Sequence, residues 1–269
     1  MEEDGDDGEL RIVSLSPTAT ETLFAIGAED LLVAVDDNSN FPEAALELPN
    51  ELSGFDPNVE AIAAFDPTLV IIGGDFTGLG DQLAELDIEA LDLGAATSLE
   101  DAYGQIAELG VVTGQIDEAA EVVASMRADI DAIVDRGGPA GEGRSVYHEI
   151  SDTFFSADST TFIGELYSLL GLENIADADT SDSFGFPQLN AEFIIEQNPD
   201  LIFIPTGVFA FTTADDVAVR PGWDTIAAVE NGNVFETNDE IGGRWGPRIV
   251  ESFEEIATAV ENANVPVPG

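Results

Sequence analysis

The chain has 269 residues, with 55 acidic against 7 basic side chains for a formal net charge of −48, and 44% of it is hydrophobic. Regular apolar periodicity and 16 Phe argue against an acidic disordered chain, and charge of this sign argues against nucleic acid as a partner, whose binding rests on cations meeting phosphates. With no Cys, disulfides, thiolate metal sites and a cysteine nucleophile are excluded as well.

All seven basic residues are Arg. The imbalance fits an acidic surface adapted to molar salt, where a Debye length of about 3 Å screens self-repulsion. The expected source is therefore a halophile, with a melting temperature that climbs steeply with KCl or NaCl. No stretch approaches the ~18 consecutive apolar residues that span a bilayer. Residues 1–9 read as an acidic linker and residues 265–269 as a C-terminal tail, and a signal and membrane anchor are expected outside this sequence.

After the linker, R-I-V-S-L at 11–15 reads as a strand, followed by a helix over 20–26 that Gly27 closes in a left-handed conformation. A strand over 31–35 and a polar loop over 36–40 follow. Residues 58–72, N-V-E-A-I-A-A-F-D-P-T-L-V-I-I, form an Asn-capped short helix, a stop before Pro67 and an apolar run suited to a strand buried on both faces. Gly73-Gly74 turns at the strand's carboxyl end. A helix near 79–86, a strand near 88–91 and a helix from Ser98, with Asp101 placed as in a capping box, complete a β-α-β-α series.

Residues 115–136 lay Ile116, Ala119, Val123, Met126, Ile130 and Val134 on one helical face. At about 1.5 Å per residue this helix is roughly 33 Å long, enough to join two lobes; a coiled-coil partner helix is the alternative. The glycine-rich run at 137–143 is expected to end it. R-S-V-Y-H at 144–148 then restarts the pattern. Residues 190–204, N-A-E-F-I-I-E-Q-N-P-D-L-I-F-I, repeat 58–72 at a constant offset of 132, with identities at Asn58/Asn190, Glu60/Glu192, Ile62/Ile194, Pro67/Pro199 and Leu69/Leu201. Glu21 and Glu165 match at an offset of 144, so the loop after the first strand, which holds 152–161, is longer in the second copy by 144 − 132 = 12 residues. A strand near 233–236 and a helix over 247–262, with Pro247 in its first turn, close the chain.

The fold class is α/β: two similar lobes, each a mostly parallel sheet flanked by helices, joined by one long inter-lobe helix, with a ligand cleft between the lobes. The expected boundaries are an N-terminal lobe at 10–112, the joining helix at 113–138 and a C-terminal lobe at 139–264.

Catalysis finds little support. A histidine-rich metal site cannot be assembled from one His, His148, and no Cys, and His148 itself reads as a strand residue with no catalytic role. Without Lys there is no phosphate-cradling P-loop, and the carboxylates lack EF-hand spacing. The expectation is no enzyme, no catalytic residue and no metal site. Aromatic placement says more: Phe41-Pro42, Phe55, Phe154-Phe155 and Phe184-Gly-Phe186-Pro187 fall in loops at element ends. Gathered together they suit a ligand site, although each alone equally suits local packing. Arg244-Trp245-Gly-Pro-Arg248 adds scarce cations beside an indole.

These segments carry a resemblance. R-I-V-S-L-S-P-T-A-T-E-T-L-F-A-I-G, the repeated stretch, G-F-P-Q-L-N-A-E and R-W-G-P-R-I are similar to solute-binding proteins of ABC importers for cobalamin and ferric siderophores, over residues 11–262. S-P-x-x-T-E and the aromatic-P-Q segment most resemble the cobalamin (vitamin B12) binders. The resemblance implies non-covalent capture of a corrinoid, cobalamin or cobinamide, with the cobalt carried by the ligand and no cofactor of the protein's own. It places Phe155, Phe186 and Arg244 at ligand-binding positions, with Pro17, Phe55 and Trp245 as near matches. Asn38 stands where cobalamin binders can carry a Tyr, and Gly54 where they can carry a Trp, with Phe55 adjacent. A ferric siderophore or haem is therefore the alternative ligand, and a cleft enzyme such as a carbohydrate hydrolase the alternative class. Glu60 and Glu192 correspond to glutamates that dock on the permease dimer of the importer; the residues alone equally suit helix-dipole partners. The resemblance further implies a monomer that is extracellular and membrane-anchored on the outer face of the cell membrane.

Overall fold

The computed structural model describes residues 10–179, 183–206 and 211–264; the expected linker at 1–9 and tail at 265–269 lie outside them. The chain divides into two compact units, one gathering residues up to Ala96 with 100–125, the other 97–99 with residues from Met126 onward.

In the N-terminal unit, β1 (Ile12–Leu15), α1 (Pro17–Ala25), β2 (Leu32–Val35), α2 (Val59–Ala63), β3 (Leu69–Ile72), α3 (Leu79–Ala84), β4 (Glu89–Asp92) and α4 (Leu99–Thr113) follow one another. Its sheet has the order β2-β1-β3-β4, and every pairing is parallel. Alternation along β1 and β3 puts Val13, Leu15, Val70 and Ile72 on one face, where they form a core with Ile62 of α2 and Leu79 and Leu83 of α3. Ile12 and Ile71 are buried on the other.

α5 (Ile116–Gly141) runs from the first unit into the second. It continues past Arg136, where the glycine-rich run was expected to stop it. The glycines serve close packing instead: a Cβ on Gly137 would lie 2.9 Å from Leu170 and 3.1 Å from Ala257, and one on Gly141 would meet the Leu170 carbonyl oxygen at 2.0 Å. Pro139 lies inside this helix and removes one donor from it. The chain turns only at Gly143, with φ of 74°.

The C-terminal unit repeats the first. β5 (Ser145–His148), α6 (Phe162–Leu169), β6 (Glu173–Asn174), α7 (Ala191–Gln197), β7 (Leu201–Thr206), α8 (Ala214–Ala218), α9 (Ala227–Glu230), β8 (Val234–Asn238), α10 (Asp239–Gly242) and α11 (Ile249–Asn262) give a parallel sheet of order β6-β5-β7-β8. Tyr147, Ile202 and Ile204 pack with Ile194, Val217, Trp223 and Ile226 on one face. On the other, Tyr167 of α6 lies 5.2 Å from Phe203, ring centre to ring centre. Pro247 is not in the first turn of α11, as its position suggested, but precedes the cap residue Arg248; the Ile249 N–H returns to the Gly246 carbonyl and shapes a turn there.

The duplicated stretch behaves alike in both units. Asn58 Oδ1 accepts from the Ala61 N–H at 2.9 Å and Asn190 Oδ1 from the Phe193 N–H at 3.0 Å. The match extends to backbone: Asp66 and Asn198, each immediately before its proline, adopt left-handed φ of 52° and 50°. Both residue types tolerate that region through short side chains that bond locally. Among the described residues no helix is long and apolar enough to cross a membrane.

Candidate functional site

In each sheet the connections run outward from the central pair, β1 with β3 and β5 with β7, so the strand order reverses there, and in open parallel sheets ligands bind outside the carboxyl ends at such a point. The candidate ligand residues collect at these ends, unit by unit.

In the N-terminal unit the floor is polar and buried. Thr20 Oγ1 lies 2.9 Å from both Ser14 Oγ and Ser39 Oγ, and Ser39 Oγ donates to Asp36 Oδ1. Pro17, half-buried, is the first residue of α1, whose cap Ser16 accepts the Ala19 N–H at 3.3 Å. Asn38 is exposed in the turn after β2, its Nδ2 bonded to Asp37 Oδ1 at 3.0 Å. Gly54 comes so near the end of β1 that a Cβ there would lie 2.9 Å from the Leu15 carbonyl oxygen, which sets the adjacent Phe55 at this same edge, 85% exposed. Phe76, 94% exposed, follows the Gly73-Gly74 turn of β3. Sequence reasoning passed over Phe76, although its position just beyond a glycine pair at a strand end was the available signal.

In the C-terminal unit, Phe155 and Phe186 are brought onto two paired segments. Phe155 bridges Gln188, and the Ser156 N–H donates to the Pro187 carbonyl at 2.9 Å, the Asp158 N–H to Gly185 at 2.8 Å and the Leu189 N–H to Phe154 at 3.0 Å. Phe155 and Phe186 are 39% and 48% exposed. Phe154 turns the other way and stacks on Trp223 at 6.0 Å, so of the adjacent pair only Phe155 faces outward. Arg244 and Trp245, half-buried, lie beyond β8 and α10 at the same carboxyl edge.

Two further residues escaped the sequence. Glu149 follows β5 and is fully buried, and Arg220 grips it with both arms of its fork, Nη1 to Oε2 at 2.6 Å and Nη2 to Oε1 at 2.7 Å. Tyr147 donates to the same carboxylate at 3.2 Å; burial, together with the Glu149 charge, raises the Tyr147 hydroxyl far above its usual range. The signal for Arg220 was scarcity, since it is one of seven cations in the chain.

Glu60 and Glu192 are exposed in the first turns of α2 and α7, equivalent by the repeat. His148 ends β5, buried, with Nδ1 2.8 Å from the Tyr167 hydroxyl, and burial pushes its pKa down to about 4. It is a neutral core residue. Among the described residues no group of three or more His, Cys, Asp or Glu is arranged to hold a metal ion.

The family model for periplasmic binding proteins matches residues 12–241. The chain belongs to the periplasmic binding protein family. Members bind small solutes and work with ABC importer permeases. This periplasmic binding protein is 29% identical to an uncharacterized ABC transporter substrate-binding lipoprotein of Bacillus subtilis, covering 93% of this chain and 79% of that one. It is 31% identical to a cobalamin-binding protein of Halobacterium salinarum over 264 residues, 95% of this chain and 70% of that one. Its fold matches a periplasmic heme-binding protein of Roseiflexus sp. RS-1 in apo form with a TM-score of 0.80 at 24% identity, covering 95% of this chain and 99% of that one. The two parallel-sheet units are thus the lobes of this family's fold.

Proposed function

We propose that this periplasmic binding protein captures a corrinoid, cobalamin or cobinamide, outside the cell membrane in a salt-rich setting and delivers it to an ABC importer. What carries the ligand class is the similarity along 264 residues to the cobalamin-binding protein of Halobacterium salinarum. The chemistry of the site agrees with it. Exposed phenyl rings at Phe55, Phe155 and Phe186 suit the apolar faces and edges of a large macrocycle, and Arg244 suits its peripheral amides.

Haem is the poorer fit on this chain's own residues. Protein-held haem iron takes an axial His, Tyr, Met or Cys. Among the described residues every His, Tyr and Met, namely His148, Tyr103, Tyr147, Tyr167 and Met126, is buried, and the chain has no Cys. A corrinoid brings its own cobalt ligation and needs none of these. The protein's role is non-covalent, with no catalytic group and no resident cofactor; it acts as a monomer and docks on the permease dimer through Glu60 and Glu192.

Calorimetric titration in molar KCl with cyanocobalamin, dicyanocobinamide, hemin and a ferric hydroxamate tests the ligand. Saturable binding of at least one corrinoid, tighter than hemin or the hydroxamate, is expected. Binding of the hydroxamate or hemin alone would overturn the reading.

A further inference from the structure

The loop between β5 and α6 carries Phe155 on a backbone held in an uncommon conformation. Phe154 holds φ of 64°, and Phe184 on the facing segment holds φ of 52°, a region uncommon for side chains this large. Such conformations persist when the surroundings over-determine them. Around Phe154 the surroundings are specific. Its ring stacks on Trp223 at 6.0 Å, and the Arg220 guanidinium lies 4.5 Å from the Trp223 ring centre and 5.7 Å from that of Phe154. The same guanidinium is anchored by the bidentate bonds to Glu149 at 2.6 and 2.7 Å, and Glu149 opens the loop.

The backbone then passes this placement on. The Ile150 N–H returns to the Phe155 carbonyl at 2.8 Å, closing the loop on itself, and the Leu189 N–H takes the Phe154 carbonyl at 3.0 Å, tying in the segment that bears Phe186. Resting on the corrinoid reading above, we infer that Arg220, clasped by Glu149, is a positioning residue for the ligand site: it fixes Phe154 inward and thereby holds Phe155 and Phe186 at their ligand-facing positions. Pre-organisation of this kind lowers the ordering cost of binding. A fork is needed for it, since a lysine ammonium offers neither two parallel bonds nor a flat face to lie on the rings.

Two variants test the clasp: Arg220→Lys, which keeps the charge, and Arg220→Met with Glu149→Leu, which removes both charges and leaves apolar side chains of similar reach. Hydrogen exchange needs no ligand. The amides of Ile150, Ser156, Asp158 and Leu189 should exchange at least tenfold faster in both variants, while those of Val70 and Ile71 in the N-terminal unit and Ile202 in the C-terminal core stay unchanged. A role confined to general stability would raise Ile202 together with the loop. Affinity for whichever corrinoid the unaltered protein binds should fall about tenfold. Loop amides that exchange at the original rate, or that quicken only in step with Ile202, overturn the inference, as does faster loop exchange with undiminished corrinoid affinity. An unaltered protein that binds no corrinoid defeats the corrinoid reading alone, and the exchange pattern still decides the clasp.

Discussion

The N-terminal unit passes from its first strand to its first helix through one residue, Ser16, whereas the C-terminal unit takes thirteen, 149–161. The sheets around these connections have the same order and the same all-parallel pairing. The difference extends to what is buried beneath them. By strand register, Ile12 faces Leu69 and Val146 faces Leu201, which sets Leu15 and Glu149 at equivalent places. The first unit fills that place with a hydrocarbon, and the second with a carboxylate that needs Arg220. The two units keep one scaffold and differ at the carboxyl ends of their first strands, where the proposed ligand site lies.

Four experiments break or sharpen this comparison. The largest effect is expected where the units remain alike. Glu60→Ala with Glu192→Ala should abolish corrinoid uptake in cells carrying the cognate importer and leave Kd unchanged in titration, with each single change intermediate; full uptake by the double variant would sink the docking role. Next is the place where they differ. Arg220→Met alone strands a buried carboxylate and should cost about 3–5 kcal/mol by chemical denaturation in constant salt. Adding Glu149→Leu makes the second unit resemble the first and should recover part of that loss, the remainder being the buried Tyr147 hydroxyl left without its acceptor.

The third concerns His148. Its folded pKa of about 4 lies below the ordinary value of 6.5, so the unfolded chain binds more protons between those values. The histidine's share of stability is therefore whole above the unfolded pKa and drains away as pH falls toward 4, up to about 3 kcal/mol. Denaturation of His148→Gln beside the unaltered chain at pH 7.5 and 4.5 should show the variant's deficit shrinking at the lower pH; a constant deficit would refute this. The smallest effect is at the paired caps: Asn58→Ala and Asn190→Ala should each cost about 1 kcal/mol, near-equal because the two caps have the same geometry. A marked inequality would show that the repeat is closer in sequence than in energetics.

The scaffold was legible because its signals are local. An Asn three residues before the amide it caps, an apolar run after a proline and a glycine after a helix each act within a few residues, so Asn58, Pro67 and Gly27 could be read directly. The loop length was legible from the change of offset between the copies. The clasp was not, because nothing within several residues of Glu149 or Arg220 marks their pairing across 71 positions. The run at 137–143 misled for a related reason: Gly137 and Gly141 are small because Leu170 and Ala257 press against them, a fact of packing that composition alone presents as a helix stop. Of the adjacent Phe154 and Phe155, the sequence indicated a loop but not which ring would turn inward, since that depends on Trp223.

Pro205 gives the long loop its point of departure. On β7 the backbone groups of Phe203 face β5, whose continuation donates the Glu149 N–H to the Phe203 carbonyl at 2.9 Å. The next donor in that ladder belongs to residue 205, and a proline has none. β7 still runs on beside β8, with Pro205 opposite Thr237. One side of a central strand is thereby unzipped early while the other stays closed. Beyond the Glu149 bond, chain leaving β5 can differ in length from its counterpart in the first unit without breaking a bond of the sheet, so thirteen residues stand here where the N-terminal unit has one.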